Sequence, residues 1–234
     1  MPCICPKEGH TVSTQSERPW ELDFATAERE FARAWLNPAY TQIELEPIDV
    51  NRVLQEAYTL TQPLTFTRAM LWDVEVRKAR DPQSYIPSVV QEGQIWNRRF
   101  LANGEEVFLR ASQQRQWLSG HYGMVLEETH VSHDQQRVIF LGRAELPEAT
   151  GVSLHSDDRQ PLFHVEHAVA GTEAQPLNLW RIVHLTHGRD QRLIDRFAAL
   201  DDGHRLPEFI ELYIRRDVHI ALSRREPAPP EPHT

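Results

Sequence analysis

The chain has 234 residues, 40% hydrophobic and 25% charged, with a formal charge of −9, which suits one sizeable domain with extensions or two small ones. The acidic balance argues against a phosphate-backbone partner, which needs clustered Lys and Arg, so no nucleic-acid partner is expected. No apolar run approaches the ~20 residues of a membrane span, and the first residues lack the basic-then-apolar pattern of a signal peptide, so the chain reads as cytoplasmic.

Cys3 and Cys5, the only cysteines, stand in a C-x-C pair with His10 as the nearest further ligand. That excludes a disulfide framework and is too little for a metal site; it reads as a free, inert segment. Residues 1–19, with Pro2, Pro6 and Pro19, read as a disordered arm. Residues 20–36 look helical, with Leu22, Phe24, Phe31, Ala32 and Trp35 mainly on one side. This stripe packs either on the main domain or on a second subunit, which leaves a homodimer open. Residues 1–50 are therefore set apart as an N-terminal extension, and residues 51–226 as the domain proper.

Residues 41–48 form an edge strand or an extended connector, since Pro47 does not suit a central strand. Residues 52–61 read as the first strand proper. Thr67 can cap a helix over residues 68–79 that carries Leu71, Trp72, Val74 and Val76. The residue before Pro82 is pushed out of the helical region, and Pro87 stops the short segment after it. About six antiparallel strands follow: residues 88–96 with 97–101, 105–117, 121–131, 136–144, 161–170 and 177–187. Asn103 and Gly104 supply a hairpin turn between the first two. Residues 190–200 and 206–226 read as helices, the second the longest in the chain. The proline-rich residues 227–234 read as a disordered tail.

The predicted fold is α+β: a curved antiparallel sheet of six to seven strands wrapped on a long C-terminal helix, with an N-terminal helical extension. An antiparallel sheet needs its apolar face covered, and this helix-grip arrangement leaves a cavity between helix and sheet. Leu64, Thr67, Arg68, Leu71 and Trp72, then Lys78 to Pro82, then Tyr85, Ile86 and Pro87, resemble the opening of the AtaL-like family. That family belongs to the START/Bet v-type helix-grip superfamily (SRPBCC), which also holds polyketide cyclases and ligand carriers. The resemblance covers roughly residues 52–226. It implies this fold and a cavity for a small molecule, with no catalytic set to carry over residue by residue.

Strand alternation turns His164 and Glu166 one way and His167 the other, with Phe163, Val165 and Val169. The second set is more apolar and is expected inside, which makes His167 a cavity residue. On the last strand Trp180, Ile182 and His184 share a face. Glu127 or Glu128 with His167 or His184 could form an acid–base pair for proton abstraction beside a carbonyl. An inward Arg110 could hold an enolate or carboxylate, against the simpler reading of an outward cross-strand ion pair. Tyr85, near the cavity mouth, could donate to a ligand oxygen. Trp117, Trp180, Phe163 and Tyr213 are suited to lining the cavity, or equally to packing a core.

The catalytic candidates are thus His167, His184, Glu127, Arg110 and Tyr85. No glycine-rich nucleotide motif, no nucleophile elbow and no cysteine inside the domain is present, so no cofactor is expected. Two functions fit. One is a cofactor-free cyclase, dehydratase or lyase acting on a hydrophobic carbonyl compound of natural-product metabolism. The other is a non-catalytic carrier of a hydrophobic ligand. Polar groups converging inside the cavity distinguish the first from the second.

Overall fold

The computed structural model describes residues 23–147, 153–200 and 205–225; the predicted arm, the proline-rich tail and the cysteine pair lie outside them. The chain begins with α1 (Phe24–Trp35), β1 (Thr41–Glu44), β2 (Ile48–Asp49), α2 (Val50–Ala57) and β3 (Tyr58–Leu60). It continues through α3 (Arg68–Arg80) and α4 (Pro82–Tyr85) into the strands β4 (Val90–Phe100), β5 (Glu106–Arg115), β6 (Tyr122–Ser132) and β7 (Arg137–Arg143). Two short strands, β8 (Glu145–Pro147) and β9 (Ser153–His155), precede β10 (Phe163–Gly171) and β11 (Pro176–His184). The chain closes with α5 (Gln191–Ala198), α6 (Glu208–Arg216) and β12 (Leu222–Arg224).

The fold is α+β. Its antiparallel sheet runs β1-β11-β10-β7-β6-β5-β4, with β2 also paired to β11. The Asn103–Gly104 turn forms as the residues dictate: Gly104 takes φ +81° and its N–H donates to the Leu101 carbonyl. The stretch read as two strands after Pro87 is one, β4, whose pairing shifts register around Asn97 at φ 52°.

Two elements differ from the sequence reading. Residues 52–61 are mostly the helix α2, capped by Asp49, followed by the short β3. Val50, Val53, Leu54 and Ala57 follow a 3.6-residue spacing, and the first three are buried. The long C-terminal helix is also absent. α6 has nine residues and stops at Asp217, His219 takes the left-handed region at φ 61°, and β12 pairs with β3. Tertiary pairing of Leu222 with Leu60 overrides a helical pattern there.

The sheet is covered on both faces. On the front, α3 crosses it with Leu71, Val74, Glu75, Val76, Lys78 and Ala79 buried and with Asp73 and Arg77 toward solvent. Val76 and Ala79 pack with sheet residues Phe108, Phe140 and Val165, while Leu71 and Val74 pack with α2 and α6. On the back lies α1, capped by Asp23, with Phe24, Ala27, Phe31 and Ala34 against Ile139, Leu141 and Val183. The segment read as an appended extension thus gives the sheet two strands and its back layer from residues 24–49. The helix face on which subunit pairing would rest is covered within the chain. Among the described residues no helix is long and apolar enough to cross a membrane.

Phe31 is 2% exposed at the centre of the back layer. Phe31→Ala is expected to lower unfolding free energy by about 3 kcal/mol, measured by urea denaturation with wild-type slope. A loss under about 1 kcal/mol would show that α1 is not part of the cooperative fold.

Candidate functional site

Alternation along the strands sorts the side chains. Glu127 of β6, Arg110 of β5, Phe140 of β7, His167 of β10 and Trp180 of β11 all face the front, where a cavity of about 350 Å³ opens between the sheet and α3, α5 and α6. Its wall is largely aromatic and aliphatic. Phe163, Trp117, Trp180, Phe197 and Phe209 contribute to it, and Lys78, His167, Arg110 and Glu127 break it with charge or polarity.

The first polar group lies where α3 crosses β10 and β11. Lys78 and Glu75 stand three residues apart on the buried side of α3, with Nζ 2.6 Å from Glu75 Oε2. The other Glu75 oxygen accepts from Asn178 Nδ2 at 2.7 Å. His167 Nδ1 is 2.7 Å from Lys78 Nζ and 2.9 Å from Glu75 Oε2. One ring nitrogen cannot both accept from the lysine and donate to the carboxylate. While Lys78 is an ammonium, Nδ1 accepts and the ring proton sits on Nε2. Once Lys78 is neutral, Nδ1–H can donate to Glu75. The ring of His167 stacks on Trp180, centroids 4.6 Å apart, and meets Phe140 edge-on. The ammonium lies 3.7 Å from the Phe209 ring centre.

Burial sets the proton affinities here. It lowers Lys78 to about 8, against the attraction of Glu75. It also lowers His167 to about 4, helped by the Lys78 charge. Burial alone would raise Glu75, but the Lys78 charge and His167 outweigh it and hold the carboxyl down to about 2. At neutral pH the cluster is an ammonium, a carboxylate and a neutral imidazole.

The second group is the cross-strand pair of Arg110 and Glu127, directly opposite in the β5–β6 register. Arg110 Nε and Nη2 donate to Glu127 Oε2 at 2.7 and 2.6 Å, and Nη1 donates to the Ala79 carbonyl at 3.0 Å. The guanidinium lies over the Phe140 ring at 4.4 Å, so one aromatic ring separates it from His167. Arg110 is therefore both inward and ion-paired, which combines the two arrangements open from the sequence.

The remaining candidates divide. Trp117, Trp180 and Phe163 line the cavity. Tyr213 and Tyr85 do not. The Tyr213 hydroxyl donates to Asp73 and that of Tyr85 to Asp217, because both rings pack into the cluster between α3, α4 and α6. His184 also lies outside the lining. It is fully buried, flanked by Phe163 and Phe197, and neither ring nitrogen has a hydrogen-bond partner among the described residues. Burial lowers it to about 4. The carboxylate beside His167 is Glu75, not Glu127 or Glu128. Glu128 faces the back, where it meets His130 and Arg143. His164 and Glu166 also face the back, beside Glu30 and Arg181 respectively.

Glu75 and Lys78 are the pair that sequence reasoning passed over as functional residues. Their signal was a Glu–Lys spacing of three on a helix apolar on several sides. Among the described residues no group of three or more His, Cys, Asp and Glu is placed to hold a metal.

No protein-family model matches the chain, and no curated protein matches it. The solved structures the chain is similar to include aromatase/cyclases and a START superfamily protein. The Zhui aromatase/cyclase from Streptomyces sp. R1128 shares 8% identity at a TM-score of 0.43, covering 75% of this chain and 95% of its own. A START superfamily protein from Mycobacterium smegmatis shares 5% at 0.40, covering 63% and 90%. The di-domain ARO/CYC StfQ from the steffimycin biosynthetic pathway shares 9% at 0.41, covering 84% and 56%. No residue role is carried over from them.

The buried histidines make a pH test. A folded-state value of about 4 against an ordinary 6.5 means the native state refuses a proton that the unfolded chain accepts. Stability is then full above pH 6.5 and falls as pH drops toward 4, by on the order of 3 kcal/mol for each such group. His184→Leu, which removes two unpartnered nitrogens, is expected to hold stability at pH 7 within about 1 kcal/mol of wild type and to flatten the decline below pH 6.5. Urea unfolding at several pH values measures both; an unchanged slope contradicts the assignment for His184.

Proposed function

We propose that this chain is an enzyme that binds a small, largely hydrophobic carbonyl compound in the front cavity and acts on it by cofactor-free acid–base chemistry. A cyclisation, dehydration or related lyase step of natural-product metabolism, in the manner of the AtaL-like and polyketide-cyclase branch of the START-type fold, suits that chemistry. The observation that carries the proposal is the convergence of the buried Lys78, His167, Arg110 and Glu127 on a largely apolar wall.

The division of labour follows from the protonation states. At neutral pH His167 is a neutral imidazole, and its Nδ1, once Lys78 turns its N–H from the ring onto the ligand, can take a proton from the carbon next to a carbonyl. Lys78, still mostly charged, can donate to the oxygen on which negative charge develops. Glu75 positions both, and Asn178 holds Glu75. Arg110, fixed by Glu127 and the Ala79 carbonyl, sets a second positive charge beyond Phe140. Trp117, Phe163 and Trp180 supply contact area and exclude water. The aromatic share of the wall also suits a carrier, the alternative reading.

Mass spectrometry of small molecules released from the denatured protein would identify a bound compound. With that compound, His167→Asn and the Glu75→Gln and Lys78→Met double variant, which leaves no bare buried charge, are each expected to lower turnover by about 10²- to 10⁴-fold while binding is largely kept. Wild-type turnover in both variants contradicts these roles. Binding with no turnover in the unmodified protein either assigns the cavity to a carrier.

A further inference from the structure

The cavity cation nearest His167 is a lysine, which can do more than donate a proton. Of the 25 basic residues in the chain only Lys7 and Lys78 are lysines, and Lys7 lies outside the described residues. An arginine would hold an oxyanion with a planar fork. What a lysine adds is a nitrogen that can lose its proton and become a nucleophile, favoured by an apolar environment.

We propose that Lys78 is a covalent attachment site, its amine condensing with the aldehyde or ketone carbonyl of a cavity ligand to form an imine. This rests on the reading of the cavity as a site for a carbonyl compound. The geometry supplies each participant. The Nζ atom ends in the cavity wall, with Phe209 and Trp180 around it and no water-exposed side, since Lys78 is 3% exposed. Its charged and titratable neighbours are Glu75 on its own helix, His167 on β10 and, more distantly, Arg110 on β5; β11 and α6 contribute the neutral Asn178, Trp180 and Phe209. The lowering of Lys78 to about 8 makes the free amine accessible near neutral pH.

The step balances without an outside reagent. The ammonium passes a proton to His167 Nδ1, and the free amine attacks the carbonyl carbon. The C–N bond forms as the C=O π pair moves to oxygen, which takes a proton from His167. The nitrogen of the resulting carbinolamine gives a proton to the neighbouring base. The C–O bond then breaks, and the oxygen leaves as water with that proton. Ammonium plus carbonyl becomes iminium plus water, so one positive charge stays beside Glu75 throughout. An iminium makes the adjacent C–H more acidic than the parent carbonyl does, which serves the same cyclisation or elimination chemistry.

The test uses the full chain with 2-naphthaldehyde as probe. Tryptophan quenching without reductant reports binding near Trp117 and Trp180. Sodium cyanoborohydride at pH 8 then traps any imine, read by intact mass and peptide mapping. One naphthylmethyl group on the Lys78 peptide is expected, formed at least about 10-fold faster than on Lys7 or the amino terminus. Lys78→Arg is expected to keep quenching and lose the adduct. If Lys78→Arg does not fold, the Glu75→Gln and Lys78→Met double variant, which removes both buried charges together, takes its place. Quenching without trapping at Lys78, or labelling no faster than at Lys7, overturns the imine and leaves the cavity reading standing. Absence of both quenching and adduct overturns both.

Discussion

The cost of burying charge on α3 organises this protein. The helix is enclosed by the sheet on one side and by α2 and α6 on the other, so Glu75 and Lys78, 1% and 3% exposed, have no access to solvent. Removing one partner from such a pair leaves a bare charge and costs several kcal/mol. The surroundings satisfy the pair instead: Asn178 donates to one carboxylate oxygen and Lys78 to the other, while His167 Nδ1 accepts from Lys78. Those contacts tie α3 to β10 and β11, and they fix the crossing that leaves the cavity open.

The two faces of the sheet treat charge differently. On the back, Arg137, Arg143 and Arg181 bridge strand carboxylates to α1: Arg137 reaches Glu28 and Glu166, Arg143 reaches Glu30 and Glu128, and Arg181 lies over Phe31 and Trp35. Most of these arginines are partly exposed, so screening by water limits what each pair contributes, and their effect is to orient α1. On the front the charged groups are fewer and more deeply buried. Burial there lowers the proton affinity of lysine and histidine, whereas the back-face arginines gain from their carboxylates. Burial also lowers His164 on the back face to about 4, so depressed histidines occur on both faces, while the lysine that burial lowers lies on the cavity side.

Much of the fold was legible because its signals are local. Thr67 caps α3 by accepting from the Met70 N–H, Asp81 and Pro82 end it, and the Asn103–Gly104 turn sets the β4–β5 hairpin. Two-residue alternation put His167 on the cavity side and His164 on the other. What was not legible depends on distant partners. Nothing near Ile220 and Leu222 announces that β3 will pair with that segment, so a helical pattern ran on too far. Nothing near Tyr85 or Tyr213 announces Asp217 and Asp73, which draw their hydroxyls away from the cavity. Glu75 and Lys78 look like an exposed helical ion pair until the sheet and α6 close over them. The site was half visible, through its strands, while the helix that completes it needed the tertiary structure.

The shared proton has a consequence for how the site titrates. With Lys78 charged, Glu75 ionised and His167 neutral, the cluster carries no net charge. Losing the lysine proton to solution strands a buried carboxylate, and adding one to His167 places two cations side by side. Both moves are opposed by the same desolvation, whereas passing the proton from Lys78 to His167 conserves charge. The two groups therefore behave as a unit whose apparent pKa values belong to the cluster rather than to either residue. Anything that places negative charge in the cavity, such as an enolate oxygen, favours keeping that proton inside. The burial that makes the cluster expensive to assemble is thus also what lets a ligand set its protonation state.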